Sequence, residues 1–172
     1  MDETDWERRV ADAWASFDER GEAEFLALIE ELAAELPANS GIGLYERASS
    51  LDATGHEDMA VPLYRQALAS GLPGARRRQA VIQLASSLRV IGRPEESAAL
   101  LTAEIDAASD DLNEAVMAFL ALALVDTGRE REAVSLTLAA LAPHLPQYQK
   151  TVANYARLLV EPESAGPSPH GI

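Results

Sequence analysis

The sequence contains no cysteine, and that absence excludes disulfide bonds, thiolate zinc sites and cysteine nucleophiles. Aromatic residues make up only 5% of the chain, so its core must be aliphatic and rich in alanine. Lys150 is the only lysine, and together with the abundant alanine this is typical of a GC-rich bacterial genome. No uncharged run suffices to cross a bilayer of ~30 Å, because Ala115–Val125 has 11 residues and Ala133–Gln149 is interrupted by two prolines.

Negative charge dominates the chain, which has 28 acidic and 14 basic residues among 172 and a net charge of −14. Because such a field repels phosphate, neither nucleic acid nor an anionic membrane is expected as a partner. The hydrophobic fraction of 48% suffices for the core of one compact domain or one short repeat array. The N-terminus is acidic and no apolar region follows it, so we expect no secretory signal and a cytoplasmic location.

Nearly every stretch of the chain shows the apolar spacing of a helix, and none shows the sustained alternation of a strand. Gly and Pro interrupt this pattern at short intervals. The sequence therefore predicts an all-α protein of nine helices, over residues 5–19, 22–36, 42–54, 57–70, 74–91, 94–108, 111–127, 130–143 and 146–160. Pro62 predicts a kink or a late start in the fourth helix. The Pro-, Gly- and Ser-rich residues 161–172 predict a disordered tail.

The chain contains three copies of one pattern. Three helix ends align, as ERASSLDATG at 46–55, QLASSLRVIG at 83–92 and FLALALVDTG at 119–128, and the segments that follow them align as well. Their glycines, Gly55, Gly92 and Gly128, lie 37 and 36 residues apart, a period typical of stacked helix pairs. At each glycine the first helix of a pair ends, and a residue in the left-handed conformation is expected there.

Aligned positions of the three copies share a residue size. Small residues recur where two helix axes must approach to ~8–10 Å, and larger apolar residues recur where the groove between two helices must be filled. The small positions are Ala48, Ala85, Ala121, Ala60, Ser97 and Ala133, and the large positions are Leu51, Leu88, Leu124, Tyr64 and Leu101.

This order of small, large, glycine and aromatic positions resembles the tetratricopeptide repeat over about residues 42–145, and it is most similar to the bacterial group-5 tetratricopeptide repeat proteins. The resemblance implies a short right-handed α-solenoid of stacked antiparallel helix pairs, a role in protein–protein interaction and association as a homodimer. It divides the chain into an N-terminal capping hairpin (1–41), three repeats (42–73, 74–110 and 111–145), a C-terminal capping helix (146–160) and the tail. Glu104 departs from the motif, because a small residue is usual there.

In such a solenoid the first helix of each pair lines a concave face, which is the predicted partner-binding surface. On the repeat geometry this face holds Tyr45, Ser49, Asp52, Gln79, Ile82, Ser86, Arg89, Ala118, Leu122 and Val125. It grades from polar to apolar along the array, and an exposed apolar floor marks an interface. Because the face lacks the Lys and Asn that grip a peptide carboxylate, we expect a helix or short peptide with an apolar stripe as the partner.

Two further clusters have structural interpretations. Trp6 and Trp14 share one stripe of the first helix, and core packing is the expected role of both. The three consecutive arginines Arg76, Arg77 and Arg78 are interpreted as a solvated helix start whose charges pair with nearby acids, and a contact with a partner is the alternative.

Signals of catalysis are weak. His56, His144 and His170 lack metal-ligand spacing, and adjacent acids such as Glu57 and Asp58 are explained by the helix dipole. We therefore predict no catalytic residue, no metal and no cofactor, and a non-catalytic adaptor or scaffold that binds a protein or peptide and self-associates. Two alternatives stay open. One is a structural homodimer whose groove is occupied by its own C-terminal helix or by its twin; the other is an enzyme or small-molecule sensor that uses the groove.

Overall fold

The computed structural model describes residues 3–107 and 111–161. Within these ranges the chain forms nine α-helices, two short 3-10 helices and no strand. The α-helices are α1 (Glu3–Ala15), α2 (Glu22–Ala34), α3 (Gly41–Ala53), α4 (Glu57–Ala69), α5 (Gly74–Val90), α6 (Pro94–Ala107), α7 (Asn113–Asp126), α8 (Glu130–Leu141) and α9 (Gln149–Leu158). The 3-10 helices are Phe17–Glu19 and Ala142–His144.

The predicted all-α architecture is confirmed, and most helix ends fall within a few residues of the prediction. The first helix ends earlier, at Ala15, because a 3-10 turn follows it. The last helix begins later, after Tyr148, whose φ of 68° is left-handed and interrupts the helix. Pro62 lies inside α4, which still begins at Glu57, so the predicted late start is wrong. Apart from Glu161, the tail predicted over residues 161–172 lies outside the described residues.

Each repeat ends its first helix in the same way. Gly55, Gly92 and Gly128 have φ values of 81°, 80° and 73°, so the predicted left-handed conformation is confirmed at all three. The residue after each glycine donates its N–H to the carbonyl five residues earlier, at 2.9, 2.8 and 2.8 Å. Each glycine N–H donates to the carbonyl three residues earlier, at 3.2, 3.1 and 3.0 Å. This pair of bonds, the Schellman motif, satisfies the last carbonyls and reverses the chain into the second helix.

The helices stack as pairs along one direction. α3 packs on α4, α5 on α6 and α7 on α8, and the second helix of each pair also packs on the first helix of the next pair. The first helices contact one another, α3 with α5 and α5 with α7, and so form an inner row. The small positions Ala48, Ala60 and Ala85 are 0% exposed, because the helix surfaces meet there without intervening side chains.

The N-terminal hairpin of α1 and α2 has its own core and packs through α2 on α3. Trp6 is 2% exposed, and its Nε1 donates to the Leu32 carbonyl at 2.9 Å, so its predicted core role is confirmed. Trp14 is only half-buried; its ring lies edge-on to Phe25 at 5.0 Å between centroids. The hairpin therefore continues the stack of helix pairs at the N-terminal end.

The departure from the motif at Glu104 is explained by an ion pair. The Glu104 carboxylate is buried and accepts from Arg77 Nη1 at 2.8 and 2.9 Å, where a small residue would leave the guanidinium without this acceptor. Arg76 pairs with Glu7 of α1 in the same manner. The predicted pairing of the arginine cluster with nearby acids is thus confirmed for these two side chains, but Arg78 is buried in α5, so the prediction of a solvated cluster is wrong for that residue.

The last helix packs against the second helix of the third repeat. Ser135 Oγ of α8 donates to the Ala156 carbonyl at 2.7 Å, and Arg131 Nε donates to the Leu159 carbonyl at 3.2 Å. These bonds hold α9 along one face of α8, and Ala156 is buried between the two helices.

Candidate protein-binding groove

An open cleft of about 770 Å³ lies between the inner helices α1, α3 and α5. It is lined by Glu7, Val10, Ala11, Trp14, Tyr45, Glu46, Ser49, Pro73, Gly74, Ala75, Arg76, Gln79 and Gln83. The cleft spans the junction of the N-terminal hairpin with the first two repeats, and α9 contributes no residue to it.

The floor of the cleft is a row of hydrogen bonds that joins α3 to α5. Ser49 Oγ donates to Gln83 Oε1 at 3.2 Å, and Tyr45 OH donates to Gln79 Oε1 at 3.5 Å. Because these bonds occupy the amide oxygens, the amide nitrogens of both glutamines take no part in them and can donate to the carbonyls of a bound chain.

A half-buried carboxylate continues this row below the floor. Asp52 Oδ1 accepts from Ser87 Oγ at 2.8 Å, and Asp52 Oδ2 lies 3.3 Å from the hydroxyl of the fully buried Tyr64. Burial raises the pKa of Asp52 above its ordinary value of 3.8, although the bonds from Ser87 and Tyr64 oppose that rise. Burial likewise raises the pKa of the Tyr64 hydroxyl, so the phenol stays protonated as a donor.

Charged groups form the wall of the cleft nearest α1. Trp14 Nε1 donates to Glu46 Oε2 at 2.9 Å, and Arg76 Nη1 donates to Glu7 Oε1 at 2.9 Å. Arg76 Nε lies 3.6 Å from the other Glu46 oxygen, so one guanidinium bridges two carboxylates. Burial raises the pKa of Glu46 against the opposing bond from Trp14 and the charge of Arg76. This wall holds more acidic than basic groups.

The raised pKa of Asp52 predicts a pH-dependent stability. The folded chain binds the proton of Asp52 more tightly than the unfolded chain, so this stabilisation is complete at low pH and is lost as pH rises through the folded pKa. The unfolding free energy of the wild type, relative to Asp52→Asn, should therefore fall between about pH 4 and pH 7. Urea unfolding at the two pH values measures it, with the exposed Asp58→Asn as the control for removing a charge. If the unfolding free energy of the wild type relative to Asp52→Asn is the same at both pH values, or is larger at the higher pH, the assignment is contradicted.

The structure divides the ten predicted concave residues into three groups. Tyr45, Ser49 and Gln79 line the cleft, with Asp52 bonded at its floor. The second group is the seam between α5 and α7: Ile82 is buried there, Ser86 is half-buried, and Arg89 Nη1 donates to Asp126 at 2.8 Å. Ala118, Leu122 and Val125 of α7 are exposed and lie outside the cleft.

This division has a simple cause. The predicted positions of repeats one and two face the next inner helix, which covers them in part or whole, as the bonds from α3 to α5 show. The third repeat has no inner helix after it, so Leu122 and Val125 remain 46% and 48% exposed. The apolar character predicted for that end is therefore present at the surface.

Several lining residues escape the sequence pattern. Glu7, Val10 and Trp14 belong to α1, which does not match the repeat and for which the sequence predicts only a capping role. Arg76 and Gln83 lie on α5 at positions not assigned to the concave face. The one signal in the sequence that bears on this wall is the arginine cluster, for which acid partners are predicted without being named, and one of these partners in the structure is Glu7 of α1.

The described residues offer no group of His, Asp and Glu suited to a metal ion. His56 Nε2 lies 2.7 Å from Glu22 Oε1, and His144 Nε2 lies 3.8 Å from Glu114 Oε1; neither pair lines the cleft. Over the same stretches of chain, no helix has both the length and the apolar composition needed to cross a membrane.

The fold and its groove define a class of protein, the all-α solenoid of stacked helical hairpins. A family model described as tetratrico peptide repeat matches residues 41–159, and the chain belongs to the tetratricopeptide repeat family. The family fold is in general a scaffold for protein–protein interaction. The comparison with curated proteins found no match.

Solved structures with the same fold include a Podosopora anserina protein assigned as a kinesin light chain with nearly identical TPR-like repeats. It superposes with a TM-score of 0.70 over 92% of this chain and 89% of its own, at 20% identity. A variant of that protein, in which one glutamine is replaced by methionine, gives a TM-score of 0.66 over 89% and 93% of the two chains, at 18% identity. At these identities the likeness establishes the solenoid fold alone.

Proposed function

We propose that this protein is a non-catalytic interaction module that binds a segment of a partner protein in the cleft between α1, α3 and α5. The observation that carries the proposal is the open cleft of about 770 Å³, which combines amide groups on its floor with apolar side chains on its α1 wall. A cleft of this kind recognises a peptide by hydrogen bonds to its backbone and by pockets for its side chains. No chemical step is required of any residue.

The charge of the cleft favours a neutral or basic segment. Glu7 and Glu46 line the cleft together with one cation, Arg76, and that guanidinium already bridges the two carboxylates; a third carboxylate, that of Asp52, lies below the floor. An acidic peptide would add a charge of the same sign to a protein of net charge −14. Val10 and the half-exposed Trp14 ring offer an apolar wall, which suits the apolar stripe expected of the partner. The cytoplasm is the compartment we propose for the encounter.

Two glutamines form a matched pair for testing the groove. Gln79 lines the cleft on α5, whereas Gln66 is exposed on the outer helix α4. A partner recovered by affinity capture from the source cells is purified, and its binding is measured by calorimetry. Gln79→Arg should weaken binding by about tenfold or more, because a long cation fills the cleft and opposes a basic segment. Gln66→Arg should leave the affinity unchanged.

Helix content from circular dichroism checks that both variants fold. Loss of affinity in Gln66→Arg, with Gln79→Arg still binding, would place the interaction on the outer helices and overturn the groove assignment. A bound metabolite that co-purifies with the wild type and is released by Gln79→Arg would instead support the small-molecule sensor.

A further inference from the structure

An ion pair joins the N-terminal hairpin directly to the second repeat. Arg76 Nη1 of α5 donates to Glu7 Oε1 of α1 at 2.9 Å, and Arg76 Nη2 donates to the other oxygen of the same carboxylate. Both residues line the cleft, Glu7 on its α1 side and Arg76 on its α5 side. The side chains of Arg76 and Glu7 are 27% and 34% exposed, whereas that of Glu46 on α3 is 5% exposed. The pair, which we call the strap, therefore lies on the solvent side of Glu46.

Helix α1 is joined to the other inner helices differently from the way they are joined to one another. Among the described residues, α3 packs on α5 and α5 packs on α7, whereas α1 packs chiefly on α2. The apolar core of the hairpin lies between α1 and α2 and reaches α3 through Ile42. On the cleft side, polar contacts join α1 to the repeats: the strap, and the bond from Trp14 Nε1 to Glu46 Oε2 at 2.9 Å. The width of the cleft therefore depends on polar side chains.

The charges around the strap allow it to open without leaving a buried ion unpaired. Arg76 serves two carboxylates, because its Nε also lies 3.6 Å from Glu46 Oε1. Burial raises the pKa of Glu46, and the negative charge of Glu7 raises it further, against the bond from Trp14 and the charge of Arg76. In an open state Arg76 would keep Glu46 as its partner, and the carboxylate of Glu7 would be hydrated. An ion pair exposed to this extent is only modestly stabilising, so both states are accessible.

We propose that the strap is a gate of the cleft: its closed form holds the N-terminal half of α1 near α5, and its opening widens the cleft for a partner segment. Trp14 lies nearer to the turn into α2, so its bond to Glu46 remains as the pivot while the part of α1 around Glu7 moves outward. This inference rests on the proposed function, since a gate requires an occupant. When a basic segment pairs with the released Glu7, each of the two carboxylates has a cation of its own.

The distance between α1 and α5 in the unliganded protein tests the strap without any partner. Because the chain has no cysteine, spin labels can be placed at Ala11→Cys on α1 and Val90→Cys on α5, both exposed positions. The labelled protein should give one distance, and the further change Glu7→Gln should add a second, longer distance. Glu96→Gln is the matched control, because Glu96 pairs with Arg65 on the outer helices, away from the cleft. It should leave the single distance unchanged.

A bulky thiol reagent measures access to the cleft. Gln83→Cys places a thiol at a half-buried position that lines the cleft, and a maleimide coupled to polyethylene glycol is the probe. Glu7→Gln should raise the modification rate of this thiol by about fivefold, because loss of a partly exposed ion pair shifts the fraction of open molecules by about that factor. Val90→Cys lies outside the cleft and should react at the same rate with and without Glu7→Gln.

The kinetics of partner binding connect the gate with the groove. The association rate constant of the captured and purified partner should rise by about fivefold in Glu7→Gln. Loss of a negative charge alone would slow a basic segment, and Glu96→Gln, which removes an equal charge, measures that effect. Circular dichroism checks that each variant keeps its helix content.

The outcomes separate failure of the strap from failure of the groove. An unchanged distance and an unchanged modification rate in Glu7→Gln would overturn the strap, whether or not a partner binds. Slower association in Glu7→Gln than in Glu96→Gln would show that binding needs the closed wall, which overturns the gate and leaves the groove intact. If the strap opens as expected but Gln79→Arg leaves the affinity unchanged, the groove assignment fails and the gate loses its role in binding.

Discussion

Replacing Tyr64 by alanine should lower the unfolding free energy by about 3–5 kcal/mol, because the cavity left by a large buried ring collapses only in part. Tyr64 has no exposed surface, and its ring contacts that of Tyr45 at 6.2 Å between centroids. Tyr64 belongs to the same core cluster as residues of α5 in the second repeat. Its removal should therefore weaken the packing between the first and second repeats.

Thermal unfolding followed by circular dichroism should show a decrease in Tm of about 10 °C for Tyr64→Ala. Tyr64→Phe is the control that keeps the ring and removes only the hydroxyl beside Ser49 and Asp52, so it should cost about 1 kcal/mol. If the two substitutions cost the same, the polar network rather than ring packing would stabilise this junction.

Trp6→Ala should cost a similar amount, about 3–5 kcal/mol, but its effect should remain local. Trp6 anchors α1 to α2 through a buried ring and through the bond from Nε1 to the Leu32 carbonyl. In a solenoid each hairpin packs mainly on its neighbours, so a defect in the terminal hairpin is transmitted weakly along the array, although the ion pair of Arg76 with Glu7 also joins α1 to α5. The groove would lose its α1 wall while the repeats stay folded.

Hydrogen exchange measures this locality. Amides of α1 and α2 should lose most of their protection in Trp6→Ala, whereas amides of α7 should keep the wild-type rates. Trp6→Phe keeps an aromatic ring but removes the donor to the Leu32 carbonyl. The lost hydrogen bond should lower the unfolding free energy by about 1 kcal/mol, in addition to the cost of the smaller ring. Equal loss of protection in α2 and α7 would show that the array unfolds as one cooperative unit.

Much of the fold follows from local patterns that a sequence displays openly. Gly55, Gly92 and Gly128 end their helices with φ values that glycine tolerates best, and the small positions beside them are buried where helices meet. Both features depend on neighbours within one helix pair, so a period of 36 or 37 residues is enough to place them.

The groove is less predictable because it depends on which helices become neighbours across the array. Tyr45 and Ser49 are predicted on the concave face, and they line the cleft, but Ile82 at an equivalent position is covered by α7. The α1 wall with Trp14 and Glu7 could not be predicted, because the first hairpin does not match the repeat. The approach of this hairpin to α5 depends on the pairing of Arg76 with Glu7.

By itself, the sequence determined the helical class, the three repeats and the point where the first helix of each repeat ends, because apolar spacing, glycine and residue size act over one or two turns. Only the tertiary structure decided which side of α8 receives α9. Ser135 and Arg131 bond to the backbone of α9, whereas Val134 and Leu141 of the same helix remain 49% and 47% exposed. The side on which α9 packs depends on the path that the chain takes through the turn after α8. The spacing of residues within either helix does not encode that path.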